Sequence, residues 1–501
     1  MKKVSALIAL ALLAVAGTGL AVTCAQDNVP GATLLVPYFR VSRNGVTSVG
    51  TDIPDVLGQT DTLMAITNVS DTGLIVHATV WNKYSFPVLD FNIPLTAKDV
   101  VTFRMKDVLN GRLNVNPNTQ LVSPQKDPCG INQSTNVYAP KLGFGATTFI
   151  RFSNPDSLDR VQSQSVYANG SATAPAFSGT FRRNVWDSLD ESGDVTTFTS
   201  PGAFVIDDDN RCSGSVDGTF SGDFSGYITF DVVNYCTNFF PAQIDYYTKD
   251  AIATAGWDGH GPNAIMGDVF YIDSSALNGN ISGDPMVSLE FDATLDDWTI
   301  FKTFYGRYRI LGTDSLAVPA FEAPYAFIGD GREPLGQHYG FRYLSDAAAG
   351  LQSWALVWRS DLYNNIDNSP DIDLCDWWAN APSLAGHGLY DRTHQLDVHT
   401  YDLDENEFVT SGGPSPGQTS SPLYIFLEAQ RIDLLNNGDI NPGGFKGGWI
   451  DLRMPGFEDN QAFVGIQHTG LAAFLSVGHG ATLLTTTSSD LICGVFVDAK
   501  K

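Results

Sequence analysis

The densest sets of oxygen donors in this chain lie in three acidic loops: Asp207-Asp208-Asp209-Asn210, Asp367-Asn368-Ser369-Pro370-Asp371-Ile372-Asp373, and Asp402-Leu403-Asp404-Glu405-Asn406-Glu407. A hard cation such as calcium is held by several carboxylate and carbonyl oxygens from one flexible loop, and alternating acids in a turn can deliver them. Asp367, Asp371 and Asp373 in one loop, with Asp402, Asp404 and Asn406 in another, are therefore the candidate calcium ligands. An EF-hand is excluded, because Glu407 stands where its sharp turn needs glycine and Gly413 where a bidentate Glu is required.

Other chemistry is thinner. His387, His394 and His399 lie close together with Asp391 and Asp397 among them, but no HExxH spacing is present. Three Gly-His-Gly triplets, centred on His260, His479 and the same His387, read as loop punctuation rather than as ligands. There is no Gly-x-Ser-x-Gly elbow for a serine nucleophile. Glu290 and Asp292 would share one face of a strand as a glycosidase pair needs, yet with 55 acids in the chain such a pair is almost unconstrained. Trp377, Trp378, Tyr246, Tyr247 and Trp257 form a candidate sugar-stacking platform, with core packing as the competing reading.

The residues that must position these groups belong to a chain whose amino terminus predicts export. Lys2 and Lys3 precede an uncharged apolar run from Val4 to Val22, followed by Thr23, Cys24 and Ala25, which is the layout of a signal peptide over residues 1–25. An uncleaved anchor and a lipidated Cys24 are the alternatives. No later run is long enough to span a bilayer as a helix, so no membrane span is expected after cleavage. In an oxidising compartment Cys129, Cys212, Cys236, Cys375 and Cys493 read as disulfide partners rather than zinc ligands, since no CxxC spacing exists. Cys212 and Cys236, flanking an expected hairpin from Gly214 to Val233, are the best pair.

The formal charge is −26, from 29 Lys plus Arg against 55 acids, which would repel a phosphate backbone and excludes nucleic acid as a partner. Of the acids 47 are Asp and 8 are Glu, and Asp favours turns and caps over helix interiors. Strands are expected at 32–41, 62–69, 74–81, 86–93, 99–103, 147–152, 227–233, 268–272 and 286–291. Beyond residue 300 they are expected at 354–358, 396–401, 423–432, 449–452, 462–466 and 472–477. Ser70-Asp71-Thr72-Gly73 predicts a hairpin turn between two of them, and Asp346 to Trp358 is the best helical candidate. The segment that ends in Ile66-Thr67-Asn68-Val69 and restarts at Leu74 resembles strand pairs of bacterial immunoglobulin-like surface domains; such a likeness implies a fold and no reaction.

The expected architecture is all-β: two or more β-sandwich domains, immunoglobulin-like or jelly-roll-like, with long acidic loops. The organisation expected is an N-terminal sandwich over 26–115, a linker or long loop over 116–141, a second β-rich region over 142–300 and a C-terminal β-rich domain over 301–501. The functional expectation is a secreted or periplasmic, non-enzymatic envelope protein with a structural, adhesive or ligand-binding role, its partner an extracellular glycan or protein. A secreted, glycan-directed hydrolase is the alternative. If the acidic loops hold calcium, the melting temperature rises with calcium, less with magnesium, and not in chelator. Identical melts in all three solutions would leave these acids as solvated turns.

Overall fold

The computed structural model describes residues 29–110, 222–234, 262–292, 331–360, 395–410, 429–434, 445–453 and 461–468, apart from 48–49, 57–58, 84–86, 274–279, 337 and 405–406, together with the short pieces 151–153, 164–165, 185–186, 189–190, 241, 246, 303–305, 423–424 and 485–486. In chain order the first strands are β1 (Thr33–Val41), β2 (Asp61–Asn68), β3 (Leu74–Trp81), β4 (Pro87–Leu95) and β5 (Val100–Arg104). One short helix, α1 (Met105–Leu109), follows. Then come β6 (Arg151–Ser153), β7 (Gln164–Ser165), β8 (Phe224–Val233), β9 (Ile265–Asp273), β10 (Asn280–Pro285) and β11 (Val287–Leu289). The remainder are β12 (His338–Leu344), β13 (Ser353–Ser360), β14 (Gln395–Asp402), β15 (Glu407–Thr410), β16 (Leu423–Tyr424), β17 (Ala429–Asp433), β18 (Gly447–Arg453), β19 (Gln461–His468) and β20 (Thr485–Thr486). The described chain is thus mostly β-strand in antiparallel sheets with almost no helix, as the Asp-rich, aromatic-rich composition predicts.

Four sheets result. A seven-stranded sheet runs β11-β1-β8-β3-β4-β6-β7 and a five-stranded one runs β20-β10-β9-β2-β5. A third runs β12-β18-β14-β15 with β16 also on β14, and a three-stranded sheet runs β17-β13-β19. Alternation along the strands decides what lies between them. On one face of the seven-stranded sheet Leu34, Val36, Val76, Ala78, Phe91, Ile93, Ile228 and Phe230 join Met64, Ile66, Phe103 and Val269 of the five-stranded sheet in one core. Phe103 meets Phe230 at 5.9 Å and Phe91 at 6.1 Å, edge to face.

The other face of the seven-stranded sheet is covered too. Leu35, Ile75, Trp81, Tyr227 and Val233 pack there against Phe304, Tyr305, Trp358 and Ala429. Trp358 belongs to β13, and Ala355 and Val357 on that strand's opposite side pack with Tyr339, Phe341, Ile450 and Leu452 of the β12–β18 sheet. Three apolar seams therefore alternate with four sheets. The middle strands β3 and β8 are buried along their whole length, which explains why both read as nearly continuous apolar runs.

Two local expectations are corrected. The turn after Asn68 does not close a hairpin: β2 pairs with β5 and β9, whereas β3 pairs with β4 and β8 in the other sheet. Asn68 redirects the chain there, its side-chain amide donating to the carbonyls of Thr72 (2.7 Å) and Thr96 (2.8 Å). The helical candidate Asp346 to Trp358 is instead a 3₁₀ turn at Ala347–Ala349, stopped by Gly350 at φ 68, and then strand β13. Burial on both sides of that strand outweighs the weak helical preference of three alanines. Of the expected hairpin from Gly214 to Val233, residues 214–221 lie outside the described residues, and the remainder is β8, with β1 on one edge and β3 on the other.

Truncating a side chain in the shared core tests the arrangement. Phe230→Ala is expected to lower unfolding stability by about 3–5 kcal/mol in urea titration. A loss below about 1 kcal/mol would show that this seam is not a packed core.

Candidate functional site

The most concentrated polar chemistry among the described residues sits inside the protein. Register places Thr33 of β1 opposite Asp231 of β8, Asp231 opposite His77 of β3, and His77 opposite Asn92 of β4. These four side chains form one row across four neighbouring strands, all on the face that meets Trp358 and Phe304, and all are buried.

Asp231 is the centre of the row. Its carboxylate accepts from the Thr33 hydroxyl, from the Tyr246 hydroxyl at 2.6 Å, and from the Tyr305 hydroxyl at 2.9 and 3.1 Å. The Arg332 guanidinium lies 3.9 Å away and donates through Nε to the Thr33 oxygen at 2.8 Å. Burial pushes the Asp231 carboxyl above its ordinary pKa, and Arg332 with the three hydroxyl donors opposes that shift. Backbone geometry aims Arg332 inward: Gly331 has φ 59, and the Phe291 ring occupies the place a Cβ would need. Phe291 in turn bridges to Arg332 through the main chain.

His77 is a neutral member of the same row. Its Nδ1 lies 3.0 Å from Asn92 Oδ1, an acceptor, which places the ring proton on Nδ1. Nε2 is 3.7 Å from Asp90 Oδ2, and the Tyr246 ring is 5.7 Å from the imidazole. Complete burial holds its pKa down at about 4, with the Asn92 hydrogen bond acting weakly in the other direction. One row further along, Trp81 Nε1 donates to Thr229 Oγ1 at 2.9 Å and stacks on Tyr227 at 5.6 Å.

Residue-type reasoning passed over Asp231, His77 and Arg332. A signal was there: a charged or titratable residue within the apolar runs Leu74 to Trp81 and Tyr227 to Val233 must find buried partners. Tyr246, expected on a sugar-stacking platform, is buried and bonded to Asp231, because its hydroxyl fills an acceptor site no water reaches. Tyr247, Trp257, Trp377 and Trp378 lie outside the described residues.

Of the candidate calcium ligands, Asp402 ends β14 and Asp404 follows it in an exposed turn. The Asp404 N–H donates to Asp402 Oδ1 at 2.9 Å, so one of these oxygens already closes its own turn. Asp367, Asp371, Asp373 and Asn406 lie outside the described residues, as do 207–210 and all six cysteines, Cys212 and Cys236 included. His399 is half-buried in β14 opposite Asp451 of β18, while His387 and His394 are outside. Glu290 and Asp292 flank Phe291, and Glu333 is raised in pKa first by burial and then by the charges of those two acids. No group of three or more metal-ligating side chains converges among the described residues. Among them also, no helix is long and apolar enough to cross a membrane.

Comparison with family models, with curated protein sequences and with solved structures finds no match to this chain.

The depressed pKa of His77 has a signed consequence for stability. The unfolded chain takes up a proton near pH 6.5 and the folded chain only near pH 4. The stabilisation is therefore complete above about pH 6.5 and declines as pH falls towards 4, by up to about 3 kcal/mol. His77→Asn, compared with the native chain by urea titration across this window, is expected to flatten the slope. Parallel pH profiles would show that the imidazole titrates in the fold as it does in the unfolded chain.

Proposed function

We propose that this protein is an exported, non-enzymatic β-protein of the cell envelope or medium, with a structural, adhesive or ligand-binding role. The observation that carries the reading is the Asp231 row. Six polar side chains of kinds that catalysis also uses (Asp231, His77, Thr33, Tyr246, Tyr305 and Arg332) are buried, and Asp231 draws four of the others into hydrogen bonds or an ion pair. A constellation committed to joining segments in a closed seam serves cohesion rather than turnover. The sheets fit sandwich architecture of an immunoglobulin-like or jelly-roll-like kind, a type that displays its loops for binding. The Lys-apolar-small amino terminus supports export, and the net charge of −26 favours a glycan or protein ligand over nucleic acid.

Two measurements on the full chain test this. Fractionation with intact-mass analysis is expected to find the protein outside the cytoplasm, cleaved near Ala25. Incubation with a panel of extracellular polysaccharides is expected to give retention without release of reducing ends. Release of reducing ends, abolished by substituting Glu290 or Asp292, would establish the hydrolase reading instead.

A further inference from the structure

A second polar cluster lies at the surface, where the chain between β1 and β2 crosses α1. Ile53 is buried there and clamped by Asn110, whose side chain accepts from the Ile53 N–H at 2.9 Å and donates to its carbonyl at 3.1 Å. Beyond that anchor Pro54, Asp55 and Val56 are exposed, and Val56 presents its apolar side chain to solvent. The Asp55 side chain is 71% exposed, yet its carboxylate reaches back to Arg104 Nη1 (3.3 Å), Arg104 Nη2 (3.2 Å) and Lys106 Nζ (2.5 Å).

The cationic half of this contact is built differently. The Lys106 side chain is only 4% exposed. Arg104 is fixed from behind by the buried Asp61, whose Oδ2 accepts from Arg104 Nε at 2.9 Å while its Oδ1 accepts from the Lys106 N–H at 3.2 Å. The guanidinium therefore presents its Nη1–Nη2 edge outward in a fixed orientation, the fork that matches a planar carboxylate. The receptor is held by buried groups; its occupant lies on an exposed strap, tethered by the Gln59 amide, whose Nε2 donates to Asp55 Oδ1 at 3.3 Å. With Asp55 withdrawn, Asp61 balances the Arg104 guanidinium from behind and the Lys106 ammonium loses its carboxylate partner, leaving room for one negative charge.

We propose that Arg104 and Lys106 form a binding site for a carboxylate ligand, and that Asp55 occupies it as an exchangeable internal stand-in. The class of ligand is a carboxylate-bearing molecule such as an acidic sugar. In a chain of net charge −26 a singly charged planar anion is opposed less than a doubly charged tetrahedral one. The strap lowers apparent affinity by the fraction of time the site is closed. The proposal goes beyond the envelope reading and does not depend on it.

The test compares full-length native chain with Asp55→Ala in sodium glucuronate, in sodium chloride of equal ionic strength and in inorganic phosphate. Asp55→Ala is expected to gain melting temperature in glucuronate over chloride, at concentrations roughly tenfold below those the native chain needs. Adding Arg104→Gln to that variant is expected to abolish the gain. No gain over chloride, a gain that survives Arg104→Gln, or an equal gain in phosphate overturns the assignment. Should Asp55→Ala not fold, hydrogen exchange on the native chain reads the same event, since the Val56 N–H is held by Gln59 Oε1 at 3.4 Å. Glucuronate, and not chloride, is expected to speed its exchange; an unchanged rate across the titration overturns the proposal.

Discussion

A carboxylate taken out of water must be met by donors, and the placement of Asp231 near the C-terminal end of β8 imposes that demand on the interior of this protein. The donors come from Thr33, Tyr246, Tyr305 and Arg332, four positions far apart along the chain. Each can serve only if its own segment lies against the covered face of the seven-stranded sheet. One buried charge thus specifies where several segments outside the regular strands must run. Removing one partner of such a buried pair leaves the other uncompensated, at a cost of about 3–5 kcal/mol.

The apolar seams supply the complementary, non-directional half of the cohesion. Trp358 stacks near Phe304 at 5.2 Å and meets Tyr227 edge-on at 5.9 Å, so the aromatic layer that excludes water also carries Tyr305, the next residue, to Asp231. Burying the aromatics and satisfying the carboxylate are one arrangement seen from two sides. A second charged contact crosses between sheets where the Arg431 guanidinium of β17 lies 4.0 Å from the Trp354 ring and pairs with Asp273 at the end of β9.

Buried and exposed charges are treated in opposite ways. Asp231 and His77 are enclosed and shifted against ionisation by desolvation, whereas Asp55 is pulled down to about 2 by hydrogen bonds from Lys106 and then Arg104. The first pair contributes to a seam that stays closed. The last is a contact between an exposed carboxylate and fixed cations, weak enough in high dielectric to be exchanged.

Strand positions were legible in the chain because alternation and β-branched or aromatic content are local properties: Leu74–Trp81 matches its expected span, and Thr33–Val41 and Asp61–Asn68 differ from theirs by a residue at an end or at both. The all-β character followed for the same reason, with Asp supplying turns. What the sequence by itself could not determine was which strands pair. Ser70 to Gly73 has hairpin chemistry, but partners arriving from β5, β8 and β9 separate the two strands it joins into different sheets. Asp346 to Trp358 has three alanines, but burial on both sides of Trp354 to Trp358 selects strand. Likewise Asp231 is one of 47 aspartates until the register sets it beside His77 and Thr33. Local propensity is written into neighbouring residues, whereas the meeting of Thr33, Asp231 and Arg332 depends on long-range packing free energy, which only the tertiary structure decides.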